Sequence, residues 1–199
     1  MKETTGTMSK TQRMTLLALL TAIVVVLQLL GSFIRFGGFS ISLVLVPIVL
    51  GAAMLGVGAG AWLGLAFGVT VLLSGDAAAF LVLNVPGTIV TVLGKGILAG
   101  LCAGFVYRLL EKKNKIAATI AAAVVCPVVN TGIFFLGCVL FFIDAIAEAA
   151  AGAGRGVYEF IIVVYIGGNF LFELLFNVVL APVILRLVEV GKKLIGRKG

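Results

Sequence analysis

Two charged side chains, Lys95 and Glu173, fall well inside long apolar runs of this 199-residue chain. A charge at the middle of a membrane helix costs about 2.5–3.5 kcal/mol on insertion scales, so such residues face a cavity, a partner or each other. Lys95 follows Thr88 and Thr91 at i−7 and i−4, which places all three on one helix face. Gly94 and Gly96 flank the lysine and leave room for a ligand or another helix. A lysine so placed suits an anionic ligand held by a charge-assisted hydrogen bond. Two structural explanations stand beside that role: snorkelling to the outer interface and an ion pair with Glu173.

Glu173 belongs to a stripe. Tyr165, Asn169, Glu173 and Asn177 recur every four residues on an otherwise apolar segment. Four polar groups in register face the bundle interior, a cavity or a neighbouring chain rather than lipid. Asn169 lies about 17 Å below Tyr158 and Lys95 about 14 Å below Pro86 at the α-helical rise, so the two reach similar depths. Asn130 and Thr131 follow Pro127, whose ring removes one helix hydrogen bond and frees a carbonyl. An opened helix beside an asparagine is a ligand-binding point or simply a kink in a packed helix. Asn84, Gln28 and Ser32 are weaker candidates near the same end. Together these groups point to an outward-facing pocket covered by the Ser74-Gly75-Asp76 loop and the Ala/Gly-rich stretch from Asp144 to Gly156.

The elements that carry these residues follow from composition. The chain is 62% hydrophobic and 12% charged, with mean hydropathy +1.27, against about 25% charged residues in soluble domains. It cannot cover a water-facing surface, which excludes a soluble enzyme, a nucleic-acid-binding domain and a disordered chain. The expected class is an all-α membrane protein. The apolar runs predict six spans: Met14–Phe33, Ile41–Met54, Gly58–Leu73, Val85–Leu110, Ile116–Ile143 and Tyr158–Leu187. A single integral domain fills 1–199, with a short basic segment at 1–13, spans over about 14–187, and a basic tail at 188–199. The first run is too long for a signal-peptide core and no clear A-x-A site follows it.

Charge sets the orientation. With both termini in the cytoplasm, inside segments carry twelve of the fifteen cations: Lys2, Lys10, Arg13, Arg108, Lys112, Lys113, Lys115, Arg186, Lys192, Lys193, Arg197 and Lys198. Outside loops carry Arg35 and Arg155, with Asp76, Asp144, Glu148 and Glu159.

Catalytic chemistry is poorly represented. There is no histidine, so Ser-His dyads and histidine zinc-protease motifs are excluded. Cys102, Cys126 and Cys138 show no metal spacing and read as small buried apolar residues. No P-loop is present. No cofactor and no metal site are expected. Gly56, Gly60, Gly64 and Gly68, and again Gly96, Gly100 and Gly104, recur every four residues. They let helix backbones approach closely, either within the bundle or against a partner.

Six spans in about 200 residues, both termini inside, and the stretch from Leu45-Val46-Pro47 through Gly51, Gly56, Gly60, Gly64 and Gly68 resemble the substrate-binding subunits (S components) of energy-coupling factor (ECF) vitamin transporters. The resemblance covers essentially the whole chain. It implies a high-affinity vitamin-binding subunit of the cell membrane that is not itself an enzyme. Its partners would be a transmembrane scaffold subunit and two cytoplasmic ATPases that hydrolyse the ATP. Ala18 and Ala22 resemble the alanine motif by which the family's first helix docks on the scaffold. Asn130 and Asn169 fall where members place ligand contacts. One buried cation, Lys95, favours a small carboxylate vitamin such as pantothenate. Riboflavin and folate are the alternatives within the family, and a stand-alone proton-coupled transporter working through Glu173 is the alternative outside it.

Overall fold

In the computed structural model, residues 8–33, 35–36, 39–40 and 43–196 are described. Helix α1 spans Lys10–Phe33, and a two-residue antiparallel pair, β1 (Arg35–Phe36) and β2 (Phe39–Ser40), follows. Then come α2 (Leu45–Leu55), α3 (Val57–Ser74), α4 (Ala78–Leu83), α5 (Val85–Leu110), α6 (Lys115–Phe141), α7 (Ile143–Gly152) and α8 (Val157–Phe160). A π-helical segment, Ile161–Gly167, leads into α9 (Gly168–Gly196).

Among the described residues, five helical stretches are long and apolar enough to cross a membrane: Lys10–Ser32, Val57–Ser74, Val85–Leu110, Lys115–Phe141 and Val157–Gly191. They correspond to expected spans one, three, four, five and six. The expected second span, Ile41–Met54, starts at a residue outside the described ones. What forms there is the 11-residue α2, about 16 Å long, against the ~30 Å of a bilayer core. Leu45, Ile48 and Val49 of α2 are fully buried, and the helix packs against α1, α3, α5, α6 and α9. It is a core helix, shielded by its neighbours, and its apolar run reflects that burial. Of the cations that set the expected orientation, Lys2, Arg197 and Lys198 also lie outside the described residues.

The glycine periodicity resolves into internal packing. A Cβ on Gly60 would meet the Gly100 carbonyl oxygen, and one on Gly64 would meet that of Gly96. A Cβ on Gly68 would lie 2.9 Å from the Val92 oxygen, and one on Gly104 2.8 Å from Val57 Cα. The α3 and α5 backbones therefore touch along four turns, the close approach that small-xxx-small patterns permit. These two stripes are thus not the partner-facing surface that was their other reading. Gly56 is the single residue between α2 and α3, and its φ of 98° is reached at low cost only by glycine.

Helix ends follow local chemistry. Asn84 Oδ1 accepts from Gly87 N at 2.9 Å with Pro86 in the first turn of α5. Asn114 caps α6 in the same way, at 2.9 Å and 3.1 Å. The stretch from Asp144 to Gly156 is mostly helix α7 rather than a connector, in keeping with the helix propensity of its alanines. Many apolar side chains point outward, including Leu19, Val26, Leu140, Leu171 and Val179, as a lipid-facing surface requires.

Candidate functional site

A cavity of about 160 Å³ opens between α1, α3, α5, α6, the π segment and α9. The structure brings five of the main expected site residues to its wall, Lys95, Asn130, Tyr165, Asn169 and Glu173, and the weaker candidate Gln28 of α1 lines it too. Lys95 projects from α5 three turns beyond the Asn84 cap, Asn130 stands one turn past Pro127 in α6, and Tyr165, Asn169 and Glu173 lie along the π segment and α9.

The Glu173 side is a carboxamide cradle. Asn130 Nδ2 donates to Glu173 Oε2 at 3.3 Å, and Asn169 Nδ2 donates to Oε1 at 3.4 Å. Asn177 does not reach the cavity but is fully buried, donating from Nδ2 to the Glu173 carbonyl at 2.8 Å. The stripe thus works as one unit in which two asparagines orient the carboxylate and a third holds the backbone beneath it. The Oδ1 atoms of Asn130 and Asn169 are buried and have no hydrogen-bond partner among the described residues. Buried acceptors left open are costly, and here two of them flank a cavity in which a ligand's N–H or O–H groups could satisfy them.

The Lys95 side is aromatic. The ammonium lies 5.5 Å from the Phe67 ring centroid and 5.3 Å from that of Phe134, within cation–π range of both. No ion pair joins Lys95 to Glu173 among the described residues. The two charges share the cavity and attract across it without closing it. An opposed cation and anion separated by a polar gap can grip a solute that is anionic at one end and hydrogen-bond-donating at the other.

One end of the cavity is closed by a latch and a ring cluster. Asp76 Oδ2 accepts from Gln28 Nε2 at 2.6 Å, Ser32 Oγ at 2.5 Å and Ser74 Oγ at 3.2 Å, tying α1 to the turn after α3. The next helix, α4, carries Phe80, whose ring meets Phe134, Phe142 and Tyr165 at centroid distances of 5.5, 5.0 and 5.5 Å. Asp76 and Phe80 both line the cavity. The Ser74-Gly75-Asp76 loop therefore lies over the site as the sequence indicates, while α7 contributes no lining residue.

Four expected residues are not brought to the cavity. Asn84 serves as the α5 cap. Thr88 Oγ1 donates to the Asn84 carbonyl at 2.7 Å. Thr91 is packed where a Cβ on Gly137 would collide with it. Thr131 does not line the cavity. On α5, Thr91 packs against α6 at Gly137, whereas Val92 and Lys95 reach the cavity. Phe67, Phe80 and Phe134 were not singled out from sequence. Their only signal was being aromatic in apolar runs that hold fourteen phenylalanines.

Ala18 and Ala22 lie elsewhere. Both are exposed on α1 and form the floor of an apolar groove of about 610 Å³, walled by Trp62 of α3. Trp62 Nε1 donates to Thr21 Oγ1 at 3.2 Å, which fixes the indole against α1.

Helices long and apolar enough to cross a membrane, around a small cavity with polar walls and with an uncovered apolar groove on the outside, are the architecture of a multi-pass membrane protein. Residues 12–185 match the family of ECF transporter substrate-specific components, and the chain belongs to that family. Comparison with curated proteins gives no match. The family resemblance drawn from the sequence is borne out. The membrane, transport and substrate-binding character it carries is likewise supported. Members bind small-molecule substrates and pair with the subunits of an ECF module.

Proposed function

We propose that this chain is the high-affinity binding subunit of an ATP-driven ECF importer in the cell membrane, and that its substrate is a small carboxylate vitamin of the pantothenate type. The observation that carries the reading is the cavity's pairing of Lys95 with two open asparagine acceptors beside Glu173. A pantothenate-like molecule has a carboxylate for Lys95 and amide and hydroxyl protons for Asn130, Asn169 and Glu173. Tyr165 supplies a further polar contact. Asn84, Thr88, Thr91 and Thr131 act in this reading by shaping α5 and α6 rather than by touching the solute.

The whole of 1–199 acts as one membrane domain with cytoplasmic termini, an orientation supported by the clustering of cations at one side. Ala18 and Ala22 form the docking face for the scaffold subunit, and two partner ATPases hydrolyse the ATP. Their exposure, in a helix whose Leu20 and Val24 are buried, supports this assignment.

Native mass spectrometry of the purified protein tests the substrate class, because a tightly held vitamin copurifies. A bound mass matching a small carboxylate vitamin is the expected result. A flavin or pterin mass would overturn the substrate assignment. Uptake by this chain expressed without any ECF module would favour the proton-coupled reading through Glu173.

A further inference from the structure

A second cavity, of about 440 Å³, lies at the end of the bundle where α1 starts, α2 ends and α5 finishes. Arg13 and Arg108 face it from two helices. Arg13 Nη2 donates to the Leu55 carbonyl at 2.8 Å, and Arg108 lies beside Gly56 in the turn between α2 and α3. No carboxylate lines this cavity, and neither arginine has an ion-pair partner among the described residues. The first turn of α3 also borders it, with no side-chain cap and with open space around Gly58. Two guanidiniums with no ion-pair partner among the described residues, beside a helix N-terminus that no described side chain caps, attract an anion.

The shape of the surroundings identifies which anion. Met14 and Leu17 line both this cavity and the apolar groove over Ala18 and Ala22, so the two are continuous. From Arg13 to Val26 at the groove's far end is about 20 Å at the helical rise, which covers the roughly 15 Å of one leaflet's hydrocarbon. A charged head next to an apolar channel of leaflet depth matches one molecule only in kind: a phospholipid. We propose that Arg13, Arg108 and the α3 N-terminus hold the phosphodiester of one anionic phospholipid, whose acyl chain lies along Ala18 and Ala22. The site needs no partner protein. Because the groove is the one assigned above to docking, a bound lipid and a docked scaffold helix exclude one another there.

The test uses the full-length protein in nanodiscs of equal phosphatidylglycerol and phosphatidylcholine, with retained lipid read by native mass spectrometry. The expected result is one preferentially retained phosphatidylglycerol per protein. Each guanidinium near a membrane surface is worth about fivefold in affinity for an anionic lipid, so Arg108→Gln lowers that retention by this factor. Adding Arg13→Gln lowers it again, and the loss is larger for phosphatidylglycerol than for phosphatidylcholine, whose phosphodiester is offset by its own cation. Arg108 makes no hydrogen bond among the described residues, so Arg108→Gln alone keeps the test valid should Arg13→Gln disturb α2. Ala22→Phe, which fills the groove, abolishes retention of the whole lipid. Equal retention of both lipids by the wild type, unchanged retention in Arg108→Gln, or displacement of the lipid by inorganic phosphate would each overturn the proposal. Phosphate displacement would reveal a free-anion site instead.

Discussion

Asn130 donates to Glu173 Oε2 at 3.3 Å, joining α6 to α9 through two side chains that are each about 3% exposed. The bond has consequences on both sides. It orients a carboxylate in the membrane interior, where an unpartnered one would be costly. It also uses the amide end of Asn130, leaving the Oδ1 end open beside the cavity.

Glu173→Ala removes the acceptor for Asn130 and Asn169 together. Leaving buried donors unsatisfied costs about 1–3 kcal/mol, so the purified variant is expected to melt at a clearly lower temperature. Glu173→Gln keeps the shape and one acceptor oxygen and should lose less than half as much. Equal losses in the two variants would mean that the ionised carboxylate, which both lack, matters rather than the shape and single acceptor oxygen that Glu173→Gln keeps.

Phe80 is the cover of the cavity. Its ring meets three others, and such pairs contribute about 0.5–1.5 kcal/mol each beyond area burial. Phe80→Ala is expected to speed ligand release at least tenfold in stopped-flow experiments while the helices remain folded. An unchanged release rate would show that α4 does not limit exit.

The glycine stripes give a paired stability test. Gly64→Ala drives a Cβ into the backbone of Gly96, and overpacking of this kind costs about 1–3 kcal/mol or more. Gly132→Ala is the control: nothing lies within 4 Å of its Cβ position, and alanine gains up to about 1 kcal/mol of helix propensity. Thermal melting should fall for the first and hold or rise for the second.

The hydropathy pattern made the long helices legible. The expected fourth span and α5 share the bounds Val85–Leu110, and the third and fifth depart from α3 and α6 by one or two residues at each end. It could not separate a span from a buried core helix, because Leu45–Leu55 is as apolar as either. Nor does it register the π segment, where Ile161, Ile162, Val163 and Val164 form a β-branched run of weak helix propensity. Within the site, the Tyr165-to-Asn177 stripe was visible because its partners lie four residues apart on one element. The Gln28–Asp76 latch joins residues 48 apart, and no local pattern encodes such a contact. Asn84 and Thr88 share types with ligand-binding residues, yet Asn84 caps α5 beside Pro86 and Thr88 bonds back to the Asn84 carbonyl.

Ala18→Leu adds bulk to the exposed groove without reaching the cavity. Ligand affinity of the isolated protein is expected to stay unchanged, while uptake in vesicles containing the full ECF module falls severalfold. Normal uptake would place the docking face elsewhere.

In the proposed function, Lys95 holds a substrate carboxylate. A thermodynamic cycle by titration calorimetry tests it, comparing pantothenate with its alcohol analogue pantothenol on the wild type and on Lys95→Ala. A hydrogen bond to a charged group is worth about 1.5–3 kcal/mol, so the wild type should prefer pantothenate by about 10- to 100-fold and Lys95→Ala should bind both compounds alike and weakly. Equal wild-type affinity for the two compounds, or a Lys95→Ala protein that binds normally but melts early, would leave Lys95 as a structural charge with no part in holding the substrate.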